Sequence, residues 1–294
     1  MGPQPARQRV SIEELYPKLG ELRSLIIGDP DSDEHRLAYA AAWREVDGLD
    51  PERAELIERQ IAMGQLTPLG RDWLLVANRC QDLLLRKREV WAPRWQNGSR
   101  MSDPLFLRGF VECMTVGLEL MRNRAFSEWL FRTAPVRHLN LVGCTSEDQF
   151  IAFLANLPSE VGERLLSLHL DGQSLGNRAM VALVEKSCWR RLQWLSLAYN
   201  EIGKAGVKSL ANASQSGGTL ERLVHVNLSG NPIDPVDRVF EDQGVPVHVS
   251  TPEVQKKFPD AVWMHAPIVD GRLETIVRFQ LRSRASGMVA GAAN

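Results

Sequence analysis

Three histidines, four cysteines and one run of carboxylates are the side chains of this 294-residue chain best suited to nucleophilic, acid–base or metal chemistry. Cysteine chemistry requires a thiolate with a histidine base in reach. Of Cys80, Cys113, Cys144 and Cys188, only Cys188 lies off an obvious apolar stripe, beside Trp189 and Arg190, and it is the one candidate for a reactive thiol. No CxxC pair, GxSxG, HExxH or phosphate-cradling glycine loop accompanies them. The acids Asp29, Asp31, Asp33 and Glu34 lack the central glycine and distal glutamate of a twelve-residue calcium loop. Capping of the following helix by Asp31 or Asp33 is the expected use of that run. His138, His169 and His225 share a face if the strands that carry them stack. His138 and His225 are then three strands apart, roughly 14 Å at about 4.8 Å per strand, too far to ligate one ion. The expectation is therefore no metal, no cofactor and no catalytic centre, with an enzyme built on Cys188 or the histidines as the alternative.

The elements that position these side chains recur. "VRHLNLVGC", "LLSLHLDGQ", "LQWLSLAYN" and "LVHVNLSGN" place Leu139, Leu168, Leu195 and Val226 at the same point of one pattern, at intervals of 29, 27 and 31 residues. "LGNRAMVAL" and "IGKAGVKSL" repeat the second half of the unit at helical spacing. Each unit reads as a strand, a bend and a helix. Alternation along a strand turns the leucines inward and the residues between them outward. Three outward columns follow: His138, Ser167, Trp194, His225; then Asn140, His169, Ser196, Asn227; then Val142, Asp171, Ala198, Ser229. Asn200 and Asn231 at the bend can both donate to and accept from backbone groups that lack ladder partners. Cys144 and Gln173 occupy the equivalent places.

This pattern resembles the leucine-rich-repeat family, in its longer ribonuclease-inhibitor-like form, over residues 136–249. The resemblance implies an α/β solenoid with a parallel sheet on its concave face, helices on the convex face, and Cys144 in a structural role. A second resemblance lies upstream. Asp29, Pro30, Asp31, Asp33, Arg36, Leu37 and Tyr39, then Asp50, Pro51, Arg53, Ala54, Glu55, Ile57 and Gln60, are similar to the bacterial repeat-companion domain. "LFLRGFVE" and "APVRHLNL" are similar to the stretches that follow it. The chain departs from that family in reading Tyr39, Ala40, Ala41, Ala42, Trp43, where a Tyr-Ala-Asp-Trp run is usual. The implied organisation is a helical domain and linking helix over 11–100, a cap over 101–135, repeats over 136–249 and cap strands over 250–285.

Ser11 and Glu14 form a capping box for the first helix, and Trp73, Ala77, Cys80 and Leu84 form the buried stripe of another. At the far end Leu273, Thr275, Val277, Phe279 and Leu281 share one face of a strand-like run. Residues 1–62 carry 8 basic and 13 acidic groups and residues 63–135 carry 11 and 7, so the two stretches can attract each other. The net charge of −1 gives no global field toward nucleic acid. Arg278, Arg282 and Arg284 form only a small patch, suited to an exposed strand edge. No apolar run spans a bilayer, no export segment follows Met1, and the cysteines suit a reducing cytoplasm. The function expected is a non-enzymatic scaffold that binds a protein partner, with nucleic-acid binding a weaker alternative. The contact residues are Trp194, His138, His169, His225, Asn140, Asn227, Asp171 and Ser196. Trp194 either anchors that partner or is covered within the chain itself.

Overall fold

The structure, a computed structural model, describes residues 12–67, 70–93, 95, 102–223, 225–233 and 247–248. The chain divides into two compact units: residues 1–101, 105–111 and 132–135, and residues 102–104, 112–131 and 136–294. Ser11, the cap strands of 250–285 and the Arg278, Arg282 and Arg284 patch lie outside the described residues.

In the first unit, helices α1 (Ile12–Leu15), α2 (Pro17–Gly28), α3 (Asp33–Arg44), α4 (Glu52–Met63) and α5 (Arg71–Trp91) pack as successive neighbours. Their core gathers Leu19, Ile26, Tyr39, Trp43, Ala54 and Ile57 around Phe110. The α5 stripe holds, with Trp73, Ala77, Cys80 and Leu84 all buried. The cap of α3 is Ser32, whose hydroxyl accepts from the His35 amide at 3.2 Å, and not Asp31 or Asp33. Asp33 lies one residue too late to cap and pairs instead with Arg108 at 3.2 Å, while Asp29 accepts from the Asp31 amide. The charge asymmetry is used locally. Arg79 bridges to Glu55 at 2.8 Å, Arg86 to Glu52 at 2.9 Å and Lys87 to Asp50 at 2.9 Å.

Strands β1 (Ser102–Leu107) and β2 (Phe110–Gly117) are joined by Arg108 and Gly109, with φ of 48° and 83°. Two successive positive φ values make the tight hairpin turn that matches strand twist. The polar residues of the upstream signature act on this turn. The Gln60 amide donates to the Phe106 carbonyl at 2.9 Å and accepts from the Gly109 amide at 2.6 Å. Fully buried Arg36 donates to the carbonyls of Pro30 and Arg108. The Arg53 guanidinium lies 5.1 to 5.6 Å from the rings of Trp91, Phe106 and Phe110. Gly109 is required twice over, by its φ and because a Cβ there would strike Ile57.

In the second unit, α6 (Leu118–Arg122) and α7 (Arg124–Thr133) follow β2. Next come β3 (His138–Val142), α8 (Glu147–Asn156), α9 (Ser159–Gly162), β4 (Ser167–His169) and α10 (Asn177–Glu185). β5 (Trp194–Ser196), α11 (Lys204–Ala213), β6 (His225–Asn227) and β7 (Val247–His248) complete the order. The seven strands form one sheet in chain order, and each neighbouring pair from β2 to β7 is parallel. Parallel neighbours need a crossover, and crossovers of one hand between successive strands carry their helices to one face. Accordingly α8 packs on α10 and α10 on α11. Beneath them Leu139, Leu141, Leu168, Leu170, Leu195, Leu197, Val226 and Leu228 are at most 1% exposed. At about 2 kcal/mol for each buried leucine, this row is a large apolar contribution to the unit. The fold is thus α/β with a mostly parallel sheet.

Candidate functional site

The register of the sheet sets out the columns. His138 pairs with Ser167, Ser167 with Trp194, and Trp194 with His225. Asn140, His169, Ser196 and Asn227 form the next row. The sheet also extends these rows beyond the four motifs: β2 adds Cys113 opposite His138 and Thr115 opposite Asn140, and β7 adds His248 opposite Asn227. The β2 rung lacks the leucine spacing; the strand-like mix of residues 106–116 marks it in the sequence as part of the cap, and the pairing supplies its register.

The bends hold this register through side-chain amides. Asn200 accepts from the amides of Gln173 and Leu175 at 2.9 and 3.1 Å, and donates to the carbonyls of Leu170, Leu197 and Ala198 at 2.8 to 3.2 Å. Asn231 repeats the scheme one unit later, accepting from Ile202 and donating to Leu197 and Leu228. Gln173 fills the same place with a longer arm: it accepts from the Cys144 amide at 2.8 Å but donates to the carbonyl of Asp171, two residues before it in the chain. Cys144 donates its thiol to the Ser146 carbonyl at 3.1 Å. Just before each bend residue the backbone is left-handed, at Gly143, Gly172, Tyr199 and Gly230. Tyr199 is the one side chain in this glycine position, and it is 51% exposed. A tyrosine where the other repeats carry glycine is the sequence signal for this rim aromatic, overlooked in favour of Trp194.

The outward columns carry a polar relay. The Asn227 amide donates to the Ser196 hydroxyl at 3.1 Å, and Ser196 donates to Asp171 at 2.6 Å. Asp171 also accepts from the Ala198 amide at 2.8 Å. Burial pushes the Asp171 carboxyl above its ordinary value, partly offset by the hydrogen bonds from Ser196 and Ala198. Asn140 donates to Thr115 at 3.3 Å, and His138 Nδ1 lies 2.9 Å from Ser167 Oγ.

The expectation that these side chains stand open is corrected at several positions. Trp194 is 5% exposed and stacks on the His225 ring at 3.8 Å between centroids, inclined by 19°. His138, His169 and Ser196 are buried, whereas Asn140, Asn227, Asp171 and His225 are half-buried. Covering of Trp194 within the chain, the alternative to a bare anchor, is what the structure displays. The physical reason is size: large rings facing the same side of adjacent strands about 4.8 Å apart stack on one another instead of standing free.

The chemistry available to these groups is correspondingly narrow. His138 and Ser167 have the separation of a base and nucleophile, but Ser167 is fully buried, so an incoming carbonyl cannot reach its hydroxyl. Ser196 gives its proton to a carboxylate with no imidazole between them. Cys188, expected to be the most accessible thiol, is 2% exposed, and burial pushes it up to about 11. Its sulfur fills the space left by Gly162, where a Cβ would clash. Among the described residues, no three of the His, Cys, Asp and Glu side chains gather as a ligand set, and no helix is long and apolar enough to cross a membrane. A cleft of about 350 Å³ on α4, lined by Arg44, Pro51, Glu52, Glu55, Glu58 and Arg59, has its charges paired across it. No family model matches the chain, and a search of curated proteins finds no match either.

Proposed function

We propose that the chain is a leucine-rich-repeat solenoid preceded by a helical repeat-companion domain, acting as a non-enzymatic scaffold that binds a protein partner. The observation that carries this reading is the register of the outward columns. Strands β3 to β6 align in chain order at the offsets of the sequence repeat, so side chains that differ from unit to unit share one face. Units that cannot bury their apolar faces alone stack on one another, and the resulting sheet is a rigid platform. The amide ladder of Asn200, Gln173 and Asn231 and the left-handed residue before each bend support the family reading. The four free, buried cysteines accord with work in a reducing bacterial cytoplasm.

Three outward positions on four strands make about twelve side chains, fewer than the roughly 20 to 30 per side of a standard interface. The contact therefore includes the rim, where Tyr199 offers an exposed aromatic in addition to the half-buried Asn140, Asn227 and Asp171 of the sheet face. The test is affinity capture from the native cell with the parent chain, Asn140→Arg, Asn227→Arg and, on the opposite helical face, Lys208→Glu. The platform reading expects a partner lost by both asparagine variants and kept by the Lys208 variant. Equal recovery of every partner by all four chains overturns it.

A further inference from the structure

The outward columns of β3 to β6 hold one carboxylate, Asp171, and no lysine or arginine. Its Oδ1 accepts from both the Ser196 hydroxyl at 2.6 Å and the Ala198 amide at 2.8 Å. Its Oδ2 accepts from none of the described residues and is not sealed from the surface. Burial, acting against those two hydrogen bonds, holds the carboxyl above its ordinary value, and no cation contributes to the balance. A desolvated carboxylate is costly unless an opposite charge compensates it. Asparagine would accept the same two hydrogen bonds without that burden, so nothing in the described fold makes use of the charge itself. A divalent metal does not suit the position. It needs several oxygen ligands, whereas Ser196 and Ala198 turn donors toward the carboxylate and no ligand set gathers among the described residues.

We infer that Asp171 is the seat of a cationic side chain, a lysine or arginine, carried by an extended segment of the protein partner. This deepens the platform reading above and rests on it. The open Oδ2 accepts the incoming N–H groups, and the partly desolvated setting strengthens the pair relative to one in water. The same charge repels a nucleic-acid backbone. Tyr199 supplies the neighbouring contact. It follows Ala198, whose amide Asp171 holds, and it is 51% exposed at a φ of 55°. Its ring lies against Gly230, where an added Cβ would stand 2.6 Å from Cδ1, so the aromatic leans to the β6 side of its own strand. A bare ring in a fixed place buries a large area on contact and loses little freedom. Asp171 and the ring are thus separated by one to two strand spacings of about 4.8 Å, comparable with the roughly 7 Å between alternate residues of an extended chain. A segment crossing these strand ends sets its basic residue on Asp171 and an apolar residue, two positions away, on Tyr199.

The probe is a phage-displayed library of random peptides selected on the immobilised full chain. Selected peptides are expected to share an arginine or lysine with an apolar residue two positions away. One of them is then synthesised with a fluorescent label, both as selected and with the basic residue neutralised, citrulline replacing arginine or norleucine replacing lysine. On the parent chain the neutral peptide is expected to bind at least about tenfold more weakly by fluorescence anisotropy. On Asp171→Asn, which keeps an acceptor for Ser196 and Ala198 and should leave the circular dichroism unchanged, the two peptides are expected to bind alike. Selected peptides with no shared basic residue overturn the inference and leave the platform reading in place. So does a difference between charged and neutral peptide that is the same on Asp171→Asn as on the parent. A library that yields no binder on the parent chain overturns both.

Discussion

Replacing Asn200 by alanine tests the ladder that holds the repeats in register. Asn200 is 5% exposed and makes five hydrogen bonds, accepting from the amides of Gln173 and Leu175 and donating to the carbonyls of Leu170, Leu197 and Ala198. Alanine leaves two buried N–H groups without an acceptor, at about 1 to 3 kcal/mol each. The Leu197 carbonyl keeps a second donor in Asn231 and the Ala198 carbonyl keeps the Gly172 amide, so these carbonyls add little. The expected cost is about 3 to 4 kcal/mol. Gln173→Ala strands only the Cys144 amide and the Asp171 carbonyl and is expected to cost about 1 to 2 kcal/mol. Urea unfolding followed by circular dichroism gives both numbers. Native-state hydrogen exchange at the amides of Gln173 and Leu175 supplies the local check, because about 3 kcal/mol corresponds to a loss of protection of over a hundredfold. An Asn200→Ala chain within about 1 kcal/mol of the parent, or no less stable than Gln173→Ala, refutes the ladder as the source of register.

Three further outcomes follow from the same geometry. The ion pair of Arg137 and Glu112, 2.9 Å apart with side chains 7% and 0% exposed, makes Glu112→Ala alone costly by about 3 to 5 kcal/mol. Glu112→Leu with Arg137→Met is expected to recover most of that loss in the same denaturation assay, and a double variant as unstable as the single one contradicts it. Gly143 and Gly230 both have positive φ, at 77° and 72°, but only at Gly230 does an added Cβ meet a ring, lying 2.6 Å from Tyr199 Cδ1. Gly143→Ala should cost about 1 to 2 kcal/mol and Gly230→Ala clearly more. The excess should vanish in a Tyr199→Ala background, and its persistence there refutes the clash. The folded state holds the Asp171 proton to higher pH than the unfolded chain does, so its contribution is full below the ordinary aspartate value and is lost as pH rises through its raised value. Asp171→Asn keeps an oxygen acceptor for Ser196 and Ala198, and its stability relative to the parent should grow from about pH 4 upward. Urea midpoints between pH 3 and 8 check this, and a difference independent of pH refutes it.

How much was legible beforehand differs from residue to residue. The intervals of 29, 27 and 31 became the strand register without adjustment, because a strand's inward and outward faces follow from spacing alone. The bend positions were legible too, since a side-chain amide that donates and accepts is suited to a turn wherever the turn occurs. The α3 cap was misplaced because Asp31, Ser32 and Asp33 are all capable caps, and the one used depends on where the chain leaves its turn. The roles of Arg36 and Gln60 were not legible. Their partners, the carbonyls of Arg108 and Phe106, lie 72 and 46 residues away on a hairpin that only folding brings near.

The same division separates the candidate site into two parts. Composition and periodicity by themselves determined that Trp194 points to the face opposite the leucines and lines up with His138, Ser167 and His225, since alternation along a strand is a local property. Only the tertiary structure decided that the indole is stacked and buried and that Cys188 is enclosed. Burial is set by whichever distant segments come to lie over a side chain, and no spacing within a strand encodes that.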